Sequence, residues 1–147
     1  MNLFETTATE EILSRLNAIH SNTPAQWGKM NAAQMMAHCT ATFKNYFGEL
    51  KIKQAFIGKL FGKMAKKKMF STAPIGKGLP TDSQYKMSGE KDFEAEKESL
   101  IVYINRFATE GYTVTSSVHP FFGKMSAQEW AVLGYRHMDH HLKQFGV

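Results

Sequence analysis

Residues 137–145 read HMDHHLKQF, and their spacing decides how the rest of the chain is read. His137 and His141 stand four residues apart, and on a helix side chains at that spacing are neighbours on one face. Trp130, Leu133, Gly134, Met138 and Phe145 join both histidines in one broad stripe, the pattern of an amphipathic helix. Ser126 followed by Glu129 has capping-box spacing and marks the start of that helix, which ends near Gly146. At about 100° per residue, His141 lies about 40° round from His137, His140 about 60° to the other side and Asp139 roughly opposite. The pair should therefore point inward, with His140 at the stripe edge and Asp139 towards solvent.

Further helices follow from the same signals. Thr7 and Glu10 have capping-box spacing, and Ile12, Leu13, Leu16 and Ile19 repeat at helical intervals, so helix one is expected over about residues 8–20. Pro24 and Gly28 break the pattern. Asn31 and Gln34 start a second helix that carries Met35, His38, Cys39, Thr42 and Tyr46 on one face and stops at Gly48. Phe93, Leu100, Ile104 and Phe107 define a third, closed by Gly111. Between helices two and three, residues 50–90 hold Gly58, Gly62, Gly76, Gly78, Gly89, Pro74 and Pro80, so most of that stretch reads as connection. Its length calls for structure or function of its own, and Phe56, Ile57, Leu60, Phe61 and Met64 predict one short amphipathic helix there. VTSSVHPFFGKM, residues 114–125, reads as an extended or irregular connection. Four long helices without a strand pattern predict an all-α fold, a four-helix bundle over residues 1–147 as one domain.

Composition narrows the class. With 43% hydrophobic and 21% charged residues the chain suits a soluble globular protein, and no apolar run approaches the ~20 residues of a membrane span. The acidic, helix-like N-terminus does not read as a secretory signal. Cys39 is the only cysteine, which excludes an intrachain disulfide, and the expected location is cytoplasmic. The net charge of +5 is concentrated: residues 50–81 hold eight lysines and no acid. That segment has three readings: an apolar face packed on the bundle with solvated lysines, contact with an anionic membrane surface, or attraction of an anionic small-molecule substrate, with Lys66, Lys67 and Lys68 at the mouth of a site. Nucleic acid is not expected, since no recognition motif is present and arginines are few.

Cofactor sites in bundles are built from inward side chains of facing helices, and His38 is the candidate third partner for His137 and His141. At 1.5 Å per residue His38 lies ~15 Å before Gly48 and His137 ~16 Å beyond Ser126, so the two meet if their helices run antiparallel with flush ends. Three imidazoles leave a coordination position open, as a catalytic metal requires. Zinc is the default ion and nickel the next, with a metal-bound water or thiolate as reacting group. The competing reading is that these are ordinary core or surface histidines. Cys39 points ~100° away from His38 and reads as a small buried thiol. His119, before Pro120, lines a pocket mouth or is an ordinary loop residue, and His20 sits at a helix end.

Three blocks resemble the DinB-like superfamily of metalloenzymes, and most closely one of its bacterial domain-of-unknown-function families. They are WGKMNAAQMMAHC at residues 27–39, HPFFGKMSAQEW at 119–130, and the HxxHHxxQ ending at His137, His140, His141 and Gln144. The resemblance implies a DinB-like four-helix bundle with a long connection between helices two and three, and a divalent metal held by His38, His137 and His141. His140, Gln144 and His119 are then candidates to support the site or line its pocket. Some relatives are S-transferases or isomerases that use a low-molecular-weight thiol, which makes a thiol a second candidate cofactor. Two functions follow: a metal-dependent hydrolase or S-transferase acting on a small molecule, or a non-catalytic binding or stress-response module whose basic loop, residues 51–68, contacts an anionic partner or membrane. Related bundles often pair, and Met-rich, aromatic surfaces allow a homodimer.

Overall fold

A computed structural model describes residues 1–71, 73–79, 81–114 and 118–147, without the side chains of Ile57 and Lys59. Pro80 as a breaker, Ile57 and Lys59 in the amphipathic basic segment, and residues 115–117 of the expected connection lie outside what is described. The fold is mainly helical: α1 (Thr6–Asn17), α2 (Ala32–Tyr46), α3 (Phe56–Met69), α4 (Phe93–Glu110) and α5 (Ala127–Gln144). One small sheet accompanies them, a hairpin of β1 (Val118–His119) and β2 (Gly123–Lys124) with His119 opposite Gly123.

Two of the expected helix starts are built as capping boxes. In α2 the Asn31 side chain accepts from Gln34 N at 2.8 Å while Gln34 Oε1 accepts from Asn31 N at 3.1 Å, and Ser126 with Glu129 repeats the arrangement for α5. Each pair satisfies two backbone donors that a helix N-terminus leaves free. The Thr7–Glu10 box does not form. A turn at the N-terminus, with Phe4 N donating to Asn2 Oδ1 and Glu5 N to the Asn2 carbonyl, starts α1 earlier, with Glu5 as its uncapped flank and Thr7 inside the helix.

Helix α2 packs against α4 and α5, and α1 also packs against both. Leu3, Ile12, Leu16, Met35, Met36, Leu100, Ile104, Met138 and Leu142 fill the space between them. Tyr46, Phe107 and Trp130 meet near one end, with ring centroids 4.7 Å and 5.3 Å from Tyr46, and the Tyr46 hydroxyl donates to the Gly111 carbonyl just past α4.

The connection from α2 to α4 departs furthest from expectation, because α3 is a full helix of 14 residues. Gly58 and Gly62, read as breakers, are its buried face: a Cβ on either would overlap a backbone oxygen of the Pro120–Phe121 turn. The bulky residues point the other way. Phe56, Leu60, Phe61 and Met64 are exposed, so the expectation that this segment packs its apolar face on the bundle is overturned. The hairpin also departs from a strand-free reading. Among the described residues, no helix is long and apolar enough to cross a membrane.

Candidate metal centre

Asn31 and Ser126 set the phase of α2 and α5, and that phase brings His38 to His137 and His141. The Nε2 atom of His137 lies 3.1 Å from that of His38 and 3.0 Å from that of His141. All three side chains lie close enough to hold one metal ion.

The far side of two of the rings fixes where the proton sits. His38 Nδ1 is 2.9 Å from the Tyr85 carbonyl, which can only accept, so Nδ1 carries the hydrogen and Nε2 presents a lone pair. The Gln144 amide nitrogen is 2.6 Å from the Trp27 carbonyl, which turns its Oε1 towards His141 Nδ1 at 2.8 Å. His141 Nδ1 therefore donates, and its Nε2 is also a bare acceptor. Only His137 can supply a hydrogen to the cluster, and one N–H cannot point at both neighbours. At least one pair of nitrogens thus faces lone pair to lone pair. A shared cation removes that conflict: two imidazole nitrogens each about 2.0–2.1 Å from one ion stand about 2.8–3.4 Å apart, for angles between a right angle and tetrahedral.

Burial keeps the cluster unprotonated at neutral pH. It lowers the pKa of His38 against the opposing effect of the Tyr85 bond, and pushes His141 down to about 3. His137 is held well below the usual range, by burial first and by the neighbouring imidazoles second. Neutral imidazole is the form that binds a metal.

The supporting groups were only partly foreseen. Gln144 bonds His141, and Gly28 makes room for it: a Cβ there would stand 2.5 Å from Gln144 Nε2, and the φ of +83° suits glycine. The Tyr85 and Trp27 carbonyls were missed, and no side-chain pattern could have signalled them. His140 is outside the cluster, half-buried, with its ring 5.8 Å edge-on to Trp27 and its pKa lowered by burial. His119 is a buried residue of β1. Its Nδ1 accepts from Phe121 N and Phe122 N, its ring stacks on Phe122 at 4.4 Å, and burial lowers its pKa to about 3.

A cavity of about 870 Å³ opens beside the cluster and reaches His38, His137, His140, His141 and Gln144. Trp27, Met69, Ile75, Phe122 and Leu133 give it apolar walls, and Lys29, Lys68, Lys86, Arg136 and Asp82 also line it. Arg136 is tied to the carbonyls of Ser71 and Ala73, and Lys77 lies over the Trp27 ring at 4.1 Å. Of the three lysines expected at the mouth, Lys68 alone lines the cavity; Lys66 pairs with Glu129 at 2.7 Å, and Lys67 is exposed. Asp139 faces away and binds Arg15 and Lys143. Cys39 is a buried thiol beside Met35, its pKa raised by burial. His20 is exposed beyond the end of α1.

One family model, that of a protein of unknown function (DUF1569), matches residues 2–146. No curated protein and no solved structure matches the chain.

Proposed function

Because the chain belongs to the DUF1569 family, whose description names no activity, the site must supply the function, and we propose a divalent-metal-dependent enzyme, a hydrolase or thiol-dependent S-transferase. His38, His137 and His141 are its ligands, with zinc or nickel as the ion. The single observation that carries this reading is the convergence of three Nε2 atoms of which at least two are bare acceptors. The closed ring of contacts among α1, α2, α4 and α5 supports the DinB-like four-helix bundle as its frame, one domain over residues 1–147. A reducing, cytoplasmic setting belongs to the same reading and suits a lone cysteine kept as a free thiol.

An ion held there supplies Lewis acidity, which brings the pKa of a water or thiol towards neutrality. The protein's own part is positional. Tyr85 and the Gln144–Trp27 pair aim His38 and His141, and such outer partners fix ring orientation and raise ligand basicity. The apolar walls accept an uncharged body of a small-molecule substrate, and Lys29, Lys68 and Lys86, set against Asp82, favour an anionic group on it.

The test begins with elemental analysis of protein made without a histidine tag. We expect one zinc or nickel per chain, lost from each of His38→Ala, His137→Ala and His141→Ala while far-UV circular dichroism is retained. Metal-loaded protein is then assayed for ester hydrolysis and for transfer of a small thiol to an electrophile, and activity should follow metal content. Native protein that stays metal-free after zinc and nickel titration would falsify the reading.

A further inference from the structure

We propose that α3 is a membrane-docking element that lays Phe56, Leu60, Phe61 and Met64 into the headgroup boundary of an anionic bilayer while neighbouring lysines meet the lipid phosphates. This goes beyond the metal-site reading and does not rest on it.

The four residues are 76%, 63%, 55% and 69% exposed, and their spacing places them along one side of the helix. They are not free to turn inward. The opposite side is pinned by the Gly58 and Gly62 approach to the Pro120–Phe121 turn, by Ala55 N donating to the Pro120 carbonyl at 3.0 Å, and by the Lys66–Glu129 ion pair. The outward face therefore keeps four large apolar groups in water, a configuration that marks an interaction surface.

Charge selects the occupant. Lys63 and Lys67 lie within about 60° of Leu60, and Lys68 within about 40° of Met64, at about 100° per residue; all three are exposed. Lys67 and Lys68 thus stand among the apolar groups and Lys63 at their edge, where long lysine stems can lift their ammonium groups to the phosphates while the apolar side chains enter the headgroup boundary. The opposing surface must be anionic and able to receive apolar groups, and an acidic bilayer is both. A second copy of α3 is disfavoured, because residues 50–81 hold no acid and a symmetric contact would set lysines against lysines. A nucleic acid backbone would meet the lysines and leave the apolar stripe in water.

Co-sedimentation of the full chain with vesicles tests this. Vesicles of equal parts phosphatidylglycerol and phosphatidylcholine should retain the protein, those of phosphatidylcholine alone should not, and added salt should weaken binding. Leu60→Gln with Phe61→Gln should reduce partitioning about tenfold or more, from the lost apolar insertion. Phe56→Gln with Met64→Gln is an independent pair. Lys63→Gln and Lys67→Gln should each cost about fivefold. Melting temperature and metal content should not change in these variants. Absence of wild-type binding, equal binding to uncharged vesicles, or full retention by both apolar double variants would overturn the proposal. So would retention by duplex DNA in place of vesicles, or a dimer that the apolar variants dissolve without any vesicle binding.

Discussion

His38 and His137 are 99 residues apart in sequence, yet their Nε2 atoms stand 3.1 Å apart, and among the described residues no carboxylate joins the cluster. The stability of the protein should therefore respond to a divalent ion offered to this cluster. A ligand that binds only the folded state, at a hundredfold excess over its Kd, adds about 2.7 kcal/mol, and for a chain of this size that raises Tm by roughly 5–10 °C. Zinc or nickel should produce this shift in calorimetry of the wild type, and a chelator should reverse it. His38→Ala should show no shift.

The Gln144 amide works in two directions, and two substitutions separate them. Gln144→Ala removes the acceptor that aims His141 and leaves the Trp27 carbonyl unpaired, so metal affinity should fall about 10–100-fold. Gln144→Glu keeps an acceptor for His141 Nδ1 but loses the donor to Trp27. It should bind metal close to wild-type affinity while melting at a lower temperature. Competition titration with a chromophoric chelator reads the first effect and calorimetry the second.

What was legible in the sequence was local and periodic. The Asn31–Gln34 and Ser126–Glu129 boxes, the stripe around His137 and His141, and the glycine stop after α2 all depend on side chains within one turn of each other. Thr7 and Glu10 have the same spacing as the working boxes, but the turn at Asn2 starts the helix before them. Gly58 and Gly62 misled because their reason lies in another part of the chain, the Pro120–Phe121 turn that needs a helix surface without Cβ atoms. A hairpin with strands of two residues has no period to read. The Tyr85 and Trp27 contacts come from backbone oxygens that every residue possesses.

Acid should destabilise the metal-free protein well before its carboxylates titrate. His119 and His141 have an ordinary pKa of 6.5 and are lowered by burial to about 3 in the folded chain. Between those values the unfolded state binds more protons, so stability rises with pH. It is fully present above pH 6.5 and is lost as pH falls towards 3, by up to about 1.4 kcal/mol per pH unit for each proton taken up. Urea titrations across that range should give a falling midpoint. The slope should be shallower in His119→Gln, which retains an acceptor for the Phe121 and Phe122 N–H groups without a titrating ring.

The docking of α3 should depend on the missing Cβ of Gly62. An alanine there gains helix propensity, about 1 kcal/mol over glycine. Its methyl group, however, would overlap the Phe121 carbonyl oxygen, a backbone atom that cannot swing aside, and overpacking of this kind costs about 1–3 kcal/mol. Strain should win for Gly62→Val, where β-branching adds bulk and removes most of the propensity gain. We expect residues 50–70 of Gly62→Val to be cleaved by protease at concentrations that leave the wild type intact. Gly76→Ala, whose Cβ would meet only the Leu79 side chain at 3.7 Å, should be cleaved no faster than wild type. Because the three histidines lie on α2 and α5, metal stoichiometry should survive in Gly62→Val even as α3 loosens and the cavity loses the wall formed by Ala65, Lys68 and Met69. Loss of metal together with α3 would mean that the helix holds up the cluster itself.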